Sequence, residues 1–259
     1  MKFAVVGDPV AHSRSPAIHE AGYRQLGLEA TYVHWHVRPD EFGDVVSALR
    51  TGSIDGVNVT MPHKSRAFAA VDRRSPDAER TGAVNTIVVH GGELVGYNTD
   101  VAGVRHALAK VGTRPTGTVM VLGAGGAAAA ALVAAEDNRL LLSARRSESG
   151  RELLARVGVD GEVRPWGSAE QTAVVINATP LGMGGESLPP GVVERSGAFI
   201  DMVYGDQVTP AVRDAVNIGI PVADGIDMLV GQAVEAFELF TESQISPFVL
   251  EMAARTAET

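Results

Sequence analysis

Along the chain, short runs of β-branched and aliphatic residues alternate with longer stretches whose apolar positions recur every three to four residues. Phe3–Val6 is one such run, ending at Gly7. The pattern then predicts a helix from Pro16 to Leu26, with Ser15 as its N-cap, Pro16 at the first helical position and Gly27 as its stop. Strands are expected at Thr31–Val37 and Val57–Thr60, and helices at Asp40–Arg50 and about His63–Val71. Asn85–Val89 and Glu93–Tyr97, separated by His90-Gly91-Gly92, have the form of a β-hairpin. After Asp100 the alternation resumes: a helix at Val101–Val111, a strand at Val119–Leu122, and an alanine-rich helix to about Ala135. Further strands are expected at Leu140–Leu142, Ala173–Ile176, Ala198–Val203 and Ile220–Ala223, with helices at Thr209–Asn217 and Asp227–Phe240. Asp201, Asp206 and Asp224 fit turn and cap positions. Such β/α alternation implies an α/β fold with mostly parallel sheet and helices on both faces. Asp100–Gly103 is the natural linker between two blocks.

Composition narrows the chemistry. None of the 259 residues is cysteine, so disulfides, thiolate–metal sites and thiol nucleophiles are excluded. The formal net charge of −9 opposes broad phosphate neutralisation, and hence a nucleic-acid partner, while leaving room for small anions in a local positive field. No apolar run is long enough to span a bilayer, and the opening MKFAVVGDPV is not a secretory signal. The expectation is a cytoplasmic protein with no membrane partner. His34 and His36 alternate on one strand and line a sheet face rather than forming a metal site, and no metal is expected.

Several segments carry polar groups the fold does not require. Gly123-x-Gly125-Gly126-x-Ala128 follows a predicted strand and opens a predicted helix, the context of a dinucleotide loop whose helix N-terminus holds a pyrophosphate; the alternative is a tight turn. The next strand ends in Ser143-Ala144-Arg145-Arg146. No carboxylate stands there for a ribose hydroxyl, whereas two arginines suit a 2′-phosphate, which favours NADP over NAD. Ser13 and Ser15 flank a helix entrance where two hydroxyls can hold a carboxylate. Lys64 falls in a first helical turn, where a cation opposes the helix dipole: either a tolerated surface lysine or a group that exchanges a proton with a substrate hydroxyl. Asn85 and Gln232 stand among apolar residues and need partners, and Asp100 can serve as an N-cap.

The motif order resembles the shikimate dehydrogenase family over nearly the whole length. The resemblance rests on Gly7-Asp8-Pro9-Val10-Ala11-His12-Ser13-Arg14-Ser15-Pro16, Asn58-Val59-Thr60-Met61-Pro62-His63-Lys64 and Gly82-Ala83-Val84-Asn85-Thr86. It continues through Gly96-Tyr97-Asn98-Thr99-Asp100, Gly123-Ala124-Gly125-Gly126-Ala127, Asn177–Met183 and Asp224–Ala233. It implies two domains. The first, residues 1–100 plus about 238–259, is an α/β domain for substrate and catalysis; the second, 101–237, is a Rossmann-like, doubly wound NADP-binding domain, with the active site in the cleft between. It also implies a reversible NADPH-dependent reduction of 3-dehydroshikimate to shikimate, a step towards chorismate and the aromatic amino acids, by a monomer or homodimer. Carried over by position, Ser13 and Ser15 bind the substrate carboxylate, and Thr60, Asn85, Asp100, Gln232 and Tyr204 bind the ring hydroxyls. Lys64 and Asp100 are the catalytic pair. Gly123, Ala124, Gly125, Gly126, Ala127, Ser143, Arg145, Arg146, Met202 and Gly225 hold NADP. The chain departs from the family at Ala144-Arg145-Arg146, where Asn-Arg-Thr is usual, at Glu20, where Asn is frequent, and at Asp227, where Gly is common. Rival readings are a broader quinate/shikimate enzyme, a non-catalytic NADP-binding regulator and a folate-type dehydrogenase.

Overall fold

In a computed structural model that describes residues 1–114, 116–205 and 207–257, the chain forms two compact units, Met1–Thr99 with Val230–Thr259, and Asp100–Leu229. Asp206, expected at a turn, lies outside the described residues, as do the last two positions of the C-terminal segment.

The first unit begins with β1 (Lys2–Gly7), α1 (Ser15–Leu26), β2 (Thr31–His36), α2 (Phe42–Arg50), β3 (Gly56–Val59) and α3 (Lys64–Ala70). It continues with β4 (Arg73–Arg74), α4 (Pro76–Thr81) and the hairpin β5 (Thr86–His90) and β6 (Glu93–Tyr97). The strand order is β2-β1-β3-β5-β6-β4. The pairs β1/β2 and β1/β3 are parallel, while β5 is antiparallel to β3 and β6. Strand residues alternate between two cores, as a sheet covered on both faces requires. Ala4, Val6, Val57, Val59 and Ile87 pack with Phe42, Val45 and Leu49 of α2. On the other face Phe3 stacks on Phe240 at 4.5 Å between ring centroids, and Tyr23 meets Phe237 at 5.4 Å.

Ser15 is not the N-cap of α1. The helix starts at Ser15 itself, preceded by Arg14 with helical dihedrals and no side-chain cap, and Gly27 ends it in a left-handed conformation (φ 63°) as expected. The short β4 and α4 were not anticipated from the pattern. The signal for α4 is local: the Ser75 hydroxyl accepts from the Ala78 N–H at 3.2 Å and Pro76 follows it.

The second unit runs α5 (Asp100–Lys110), β7 (Thr118–Leu122), α6 (Gly126–Ala134), β8 (Arg139–Ala144), α7 (Ser147–Val157) and β9 (Gly161–Pro165). Then come β10 (Val174–Asn177), β11 (Phe199–Asp201), α8 (Pro210–Ile218) and β12 (Val222–Ala223). The boundary between units falls within α9 (Gly225–Thr241), and α10 (Pro247–Thr256) belongs to the first unit. All strand pairs of the second sheet are parallel, in the order β12-β11-β10-β7-β8-β9. Counted from β7, this is the doubly wound order in which the direction of strand addition reverses between the first and fourth strands. Val119, Val121, Leu140, Leu142, Val174 and Ile176 pack against the α6 alanines and α7. Met120, Leu122, Leu141, Val175 and Phe199 pack against α8 on the opposite face. In such sheets a ligand crevice opens at the strand C-termini where the order reverses, here at the ends of β7 and β10.

Candidate active site

In the first unit three loops converge at the C-terminal ends of β1 and β3. The Asp8 N–H donates to Met61 O at 3.0 Å, joining the loop after β1 to the loop after β3. The Val59 N–H donates to Asn85 O at 2.7 Å, and the Val84 N–H to Lys64 O at 3.2 Å, adding the segment before β5. These bonds bring Ser13, Ser15, Thr60, Lys64 and Asn85 to one end of the sheet. The Ser13 hydroxyl donates to Ser15 Oγ at 3.1 Å and accepts from the Ser15 N–H at 3.3 Å, so the two hydroxyls form a half-buried pair. Thr60 and Lys64 are half-buried too, and the backbone between them is a tight turn closed by the His63 N–H to Thr60 O at 2.9 Å.

Asn85 is buried and has the partners its position demands. Its Oδ1 accepts from the Thr99 N–H at 2.8 Å and from the Thr86 hydroxyl at 3.1 Å, and its Nδ2 donates to Thr99 Oγ1 at 3.1 Å. Asn58 Nδ2 donates to Thr86 Oγ1 at 2.9 Å, and the Tyr32 hydroxyl donates to Asn58 Oδ1 at 2.6 Å. A satisfied network of this kind fixes one geometry, because every alternative strands a buried polar group. Tyr32, Asn58, Thr86 and Thr99 did not emerge as site residues from the sequence. Asn58 had a signal, a polar residue between two buried valines of one strand. Gln232, in the part of α9 that belongs to the first unit, is half-buried.

The second unit holds the glycine loop. Gly123 leaves β7 with φ 112°, and a Cβ there would lie 2.9 Å from Ala178 O, so strain and contact both demand glycine. Gly125 differs: its φ of −97° suits any residue, and a Cβ on it or on Gly126 would meet nothing within 4 Å. Gly125 is the N-cap of α6 without any side-chain cap. The first-turn N–H groups are therefore left for an outside acceptor, beside space that a side chain would fill. This fits a dinucleotide pyrophosphate. Ala124 and Ala127 are half-buried at the same turn.

Arg145 and Arg146 follow β8 and are exposed. Neither guanidinium is tied to a carboxylate among the described residues, in a chain with nine excess negative charges. Ser143 is placed differently from them. It is fully buried, its hydroxyl donating to Pro165 O at 3.1 Å and accepting from the Gly167 N–H at 3.0 Å, so it braces the end of the sheet. Gly225 likewise has a packing duty, since a Cβ would come within 2.2 Å of Val203 O.

Opposite the glycine loop, β10 and β11 end in a buried polar cluster. The Asp201 carboxylate accepts from Asn177 Nδ2 at 3.0 Å, the Val203 N–H at 3.1 Å and the Thr209 hydroxyl at 2.6 Å. Burial pushes its pKa up, and those three donors oppose the shift. Asn177 Oδ1 accepts from the Thr179 hydroxyl at 2.6 Å, which shapes the Asn177–Gly182 loop. The Met202 N–H donates to Asn177 O at 3.0 Å, so the cluster also fixes the segment carrying Met202 and Tyr204. Tyr204 lines a cavity of about 350 Å³ with Gly182–Gly185, Thr209 and Arg213. Asp100, 6% exposed, stands at the first position of α5 rather than before it. Among the described residues no group of three or more histidines and carboxylates is placed to hold a metal ion.

Residues 5–87 match the substrate-binding domain of shikimate dehydrogenase, and residues 225–246 match the C-terminal domain of shikimate 5′-dehydrogenase. A shikimate dehydrogenase (NADP(+)) of Geobacter sp. strain M21 is 37% identical over 92% of this chain and 88% of its own. The chain belongs to the shikimate dehydrogenase family. The family fold accounts for the whole chain: shikimate 5-dehydrogenase from Thermus thermophilus, solved with NADP(H) and shikimate, superimposes with a TM-score of 0.90 at 36% identity over 98% of each chain. A 5-ketofructose reductase of Gluconobacter sp. strain CHM43, 27% identical, superimposes with a TM-score of 0.88 over 98% of each chain.

Proposed function

We propose that this protein is an NADP-dependent shikimate dehydrogenase that interconverts 3-dehydroshikimate and shikimate. The observation that carries this reading is the convergence, at one end of the first sheet, of a hydroxyl pair, an amide network and a lysine. Ser13 and Ser15 suit a carboxylate, Thr60 and Asn85 suit ring hydroxyls, and Lys64 suits the oxygen that changes protonation. Gln232 and Tyr204 add an amide and a phenol to the hydroxyl-binding set. Gly123 to Ala127 and the open N-terminus of α6 hold the pyrophosphate, and Arg145 with Arg146 holds the 2′-phosphate. Met202 and Gly225 complete the cofactor wall. The first unit is the substrate domain and the second the NADP domain.

When bound, NADPH supplies the hydride that reduces the substrate ketone. Lys64 donates a proton to the oxygen of that carbon, and in the reverse direction takes it back. Asp100 accepts a hydrogen bond from the reacting hydroxyl and orients it. General acid–base assistance is worth about 10²–10⁴ in rate. Lys64→Ala is therefore expected to lower kcat by about that factor with a much smaller change in KM for shikimate, followed as NADPH absorbance on mixing enzyme, NADP⁺ and shikimate. Unchanged turnover at saturation would make Lys64 a binding or surface residue. Because the same fold serves a ketofructose reductase, quinate belongs in the same assay with NADP⁺, and 5-ketofructose in the reverse assay with NADPH beside 3-dehydroshikimate. A higher kcat/KM for either would displace shikimate as the substrate.

A further inference from the structure

β2 is the edge strand of the first sheet, and along one of its faces stand Tyr32, His34 and His36. All three side chains reach the candidate site, Tyr32 through strand β3 and the two histidines through the loop after β1. The Tyr32 hydroxyl donates to Asn58, within the Asn85 network. His34 Nε2 lies 2.8 Å from Ser13 O, a carbonyl, so the ring nitrogen donates. His36 Nε2 lies 2.8 Å from Asp8 Oδ1. The parallel register sets His34 beside Val5 and His36 beside Gly7, where β1 gives way to the loop. Both imidazoles are exposed, so neither is needed to fill a core, yet Nε2 of each is engaged by the loop.

The loop is also anchored by the buried Val10 side chain and by Arg14 Nη1 donating to Ala254 O at 3.1 Å, but its backbone has few bonds of its own. Between Asp8 and Ser13 its backbone makes the Asp8 N–H to Met61 O bond and the Ser13 N–H to Val10 O bond, each 3.0 Å. The two histidines grip its two ends: Asp8 where it leaves β1, and Ser13 where the hydroxyl pair begins. We infer that His34 and His36 are positioning residues, holding the Asp8–Arg14 loop so that the Ser13 and Ser15 hydroxyls face the substrate carboxylate. This rests on the carboxylate role proposed above for the two serines.

The test is steady-state kinetics of shikimate oxidation on the full-length protein, with S13A, H34A, H34Q, H36A and the double variant S13A/H34A. One hydrogen bond of this kind corresponds to about a threefold to tenfold effect. H34A is expected to raise KM for shikimate by that factor, with kcat and KM for NADP⁺ within about twofold, and H36A to move KM in the same direction. H34Q, whose amide can donate to Ser13 O, is expected to recover most of the loss. In the S13A background H34A is expected to add less than it does alone, because part of its effect runs through the Ser13 hydroxyl. If S13A raises KM but H34A does not, the proposal falls and the carboxylate reading stands. If S13A leaves KM unchanged, the carboxylate reading falls and takes the proposal with it. A full, additive H34A effect in the S13A background, an H34Q as impaired as H34A, or an equal loss in KM for NADP⁺ would each overturn it.

Discussion

At the scale of single residues, cofactor choice is the sharpest question, and two arginines decide it. Arg145 and Arg146 stand where an NAD site places a carboxylate, exposed and without a carboxylate partner among the described residues. Bonds between a guanidinium and a phosphate are charge-assisted, each worth about 1.5–3 kcal/mol. Replacing both with alanine is expected to raise KM for NADPH by tenfold or more, leaving KM for NADH within about twofold. Equal losses for both cofactors would rule out a 2′-phosphate clamp. Residues of this kind were legible because they break a local rule: cations where an acid is usual, a lysine in a first helical turn, an asparagine beside an apolar strand. Ser143 broke no rule, and its burial against Pro165 and Gly167 is set by residues more than twenty positions away. Thr86 and Thr99 were equally silent, since threonine is at home in strands and loops and only the fold brings them to Asn85.

At the scale of elements, the strand–loop–helix β7–α6 separates what the protein needs from what its ligand needs. Gly123 has positive φ and abuts Ala178 O, so the fold itself requires it. Gly125 has an ordinary φ and open space around its Cβ position, so the fold does not. Gly123→Ala is expected to lower the thermal midpoint and cofactor affinity together. Gly125→Ala is expected to leave the thermal midpoint nearly unchanged, since the chain entropy that alanine removes is offset by its weakness as an N-cap, yet to raise KM for NADPH markedly. Should Gly125→Ala bind NADPH normally, the pyrophosphate does not approach that turn. The elements that the pattern missed each have a physical cause. α4 and β4 are too short for periodicity to register, and β9 runs at the sheet edge with exposed and half-buried residues only. α7 carries apolar spacing at Leu153, Leu154 and Val157 among charged neighbours that mask it, whereas α10, with only Glu251 and Arg255 charged, is too apolar throughout for Leu250 and Ala254 to stand out as one face.

For the whole molecule, acid stability follows from two ionisable groups on opposite footings. Asp72 is held at about 2, chiefly by the Arg50 guanidinium and then by the Leu94 N–H. A carboxylate lowered in the fold contributes stability above its ordinary pKa, and that contribution is lost as pH falls from about 4 towards 2. His19 acts earlier. It is 1% exposed, its ring stacked on Tyr32 at 4.3 Å, and burial lowers its pKa from 6.5 to about 3. Between those values the unfolded chain binds a proton that the folded chain refuses, so stability rises with pH and falls on acidification. The slope from this one residue approaches about 1.4 kcal/mol per pH unit. His19→Phe keeps an aromatic ring among Tyr23, Tyr32, Phe237 and Phe240 and removes the titration. Urea unfolding at pH 7 is expected to place the variant within about 3 kcal/mol of the parent, since the larger phenyl ring must be fitted into a filled core. At pH 5 the variant should have gained on the parent by about 2 kcal/mol, the 1.5 pH units below the free histidine value taken at that slope. The comparison of variant with parent cancels groups that both share, including Asp201, whose raised pKa works in the opposite direction. Stability curves that run parallel from pH 7 to pH 5 would mean that His19 is either protonated in the fold or relieved by water at its unpartnered Nδ1.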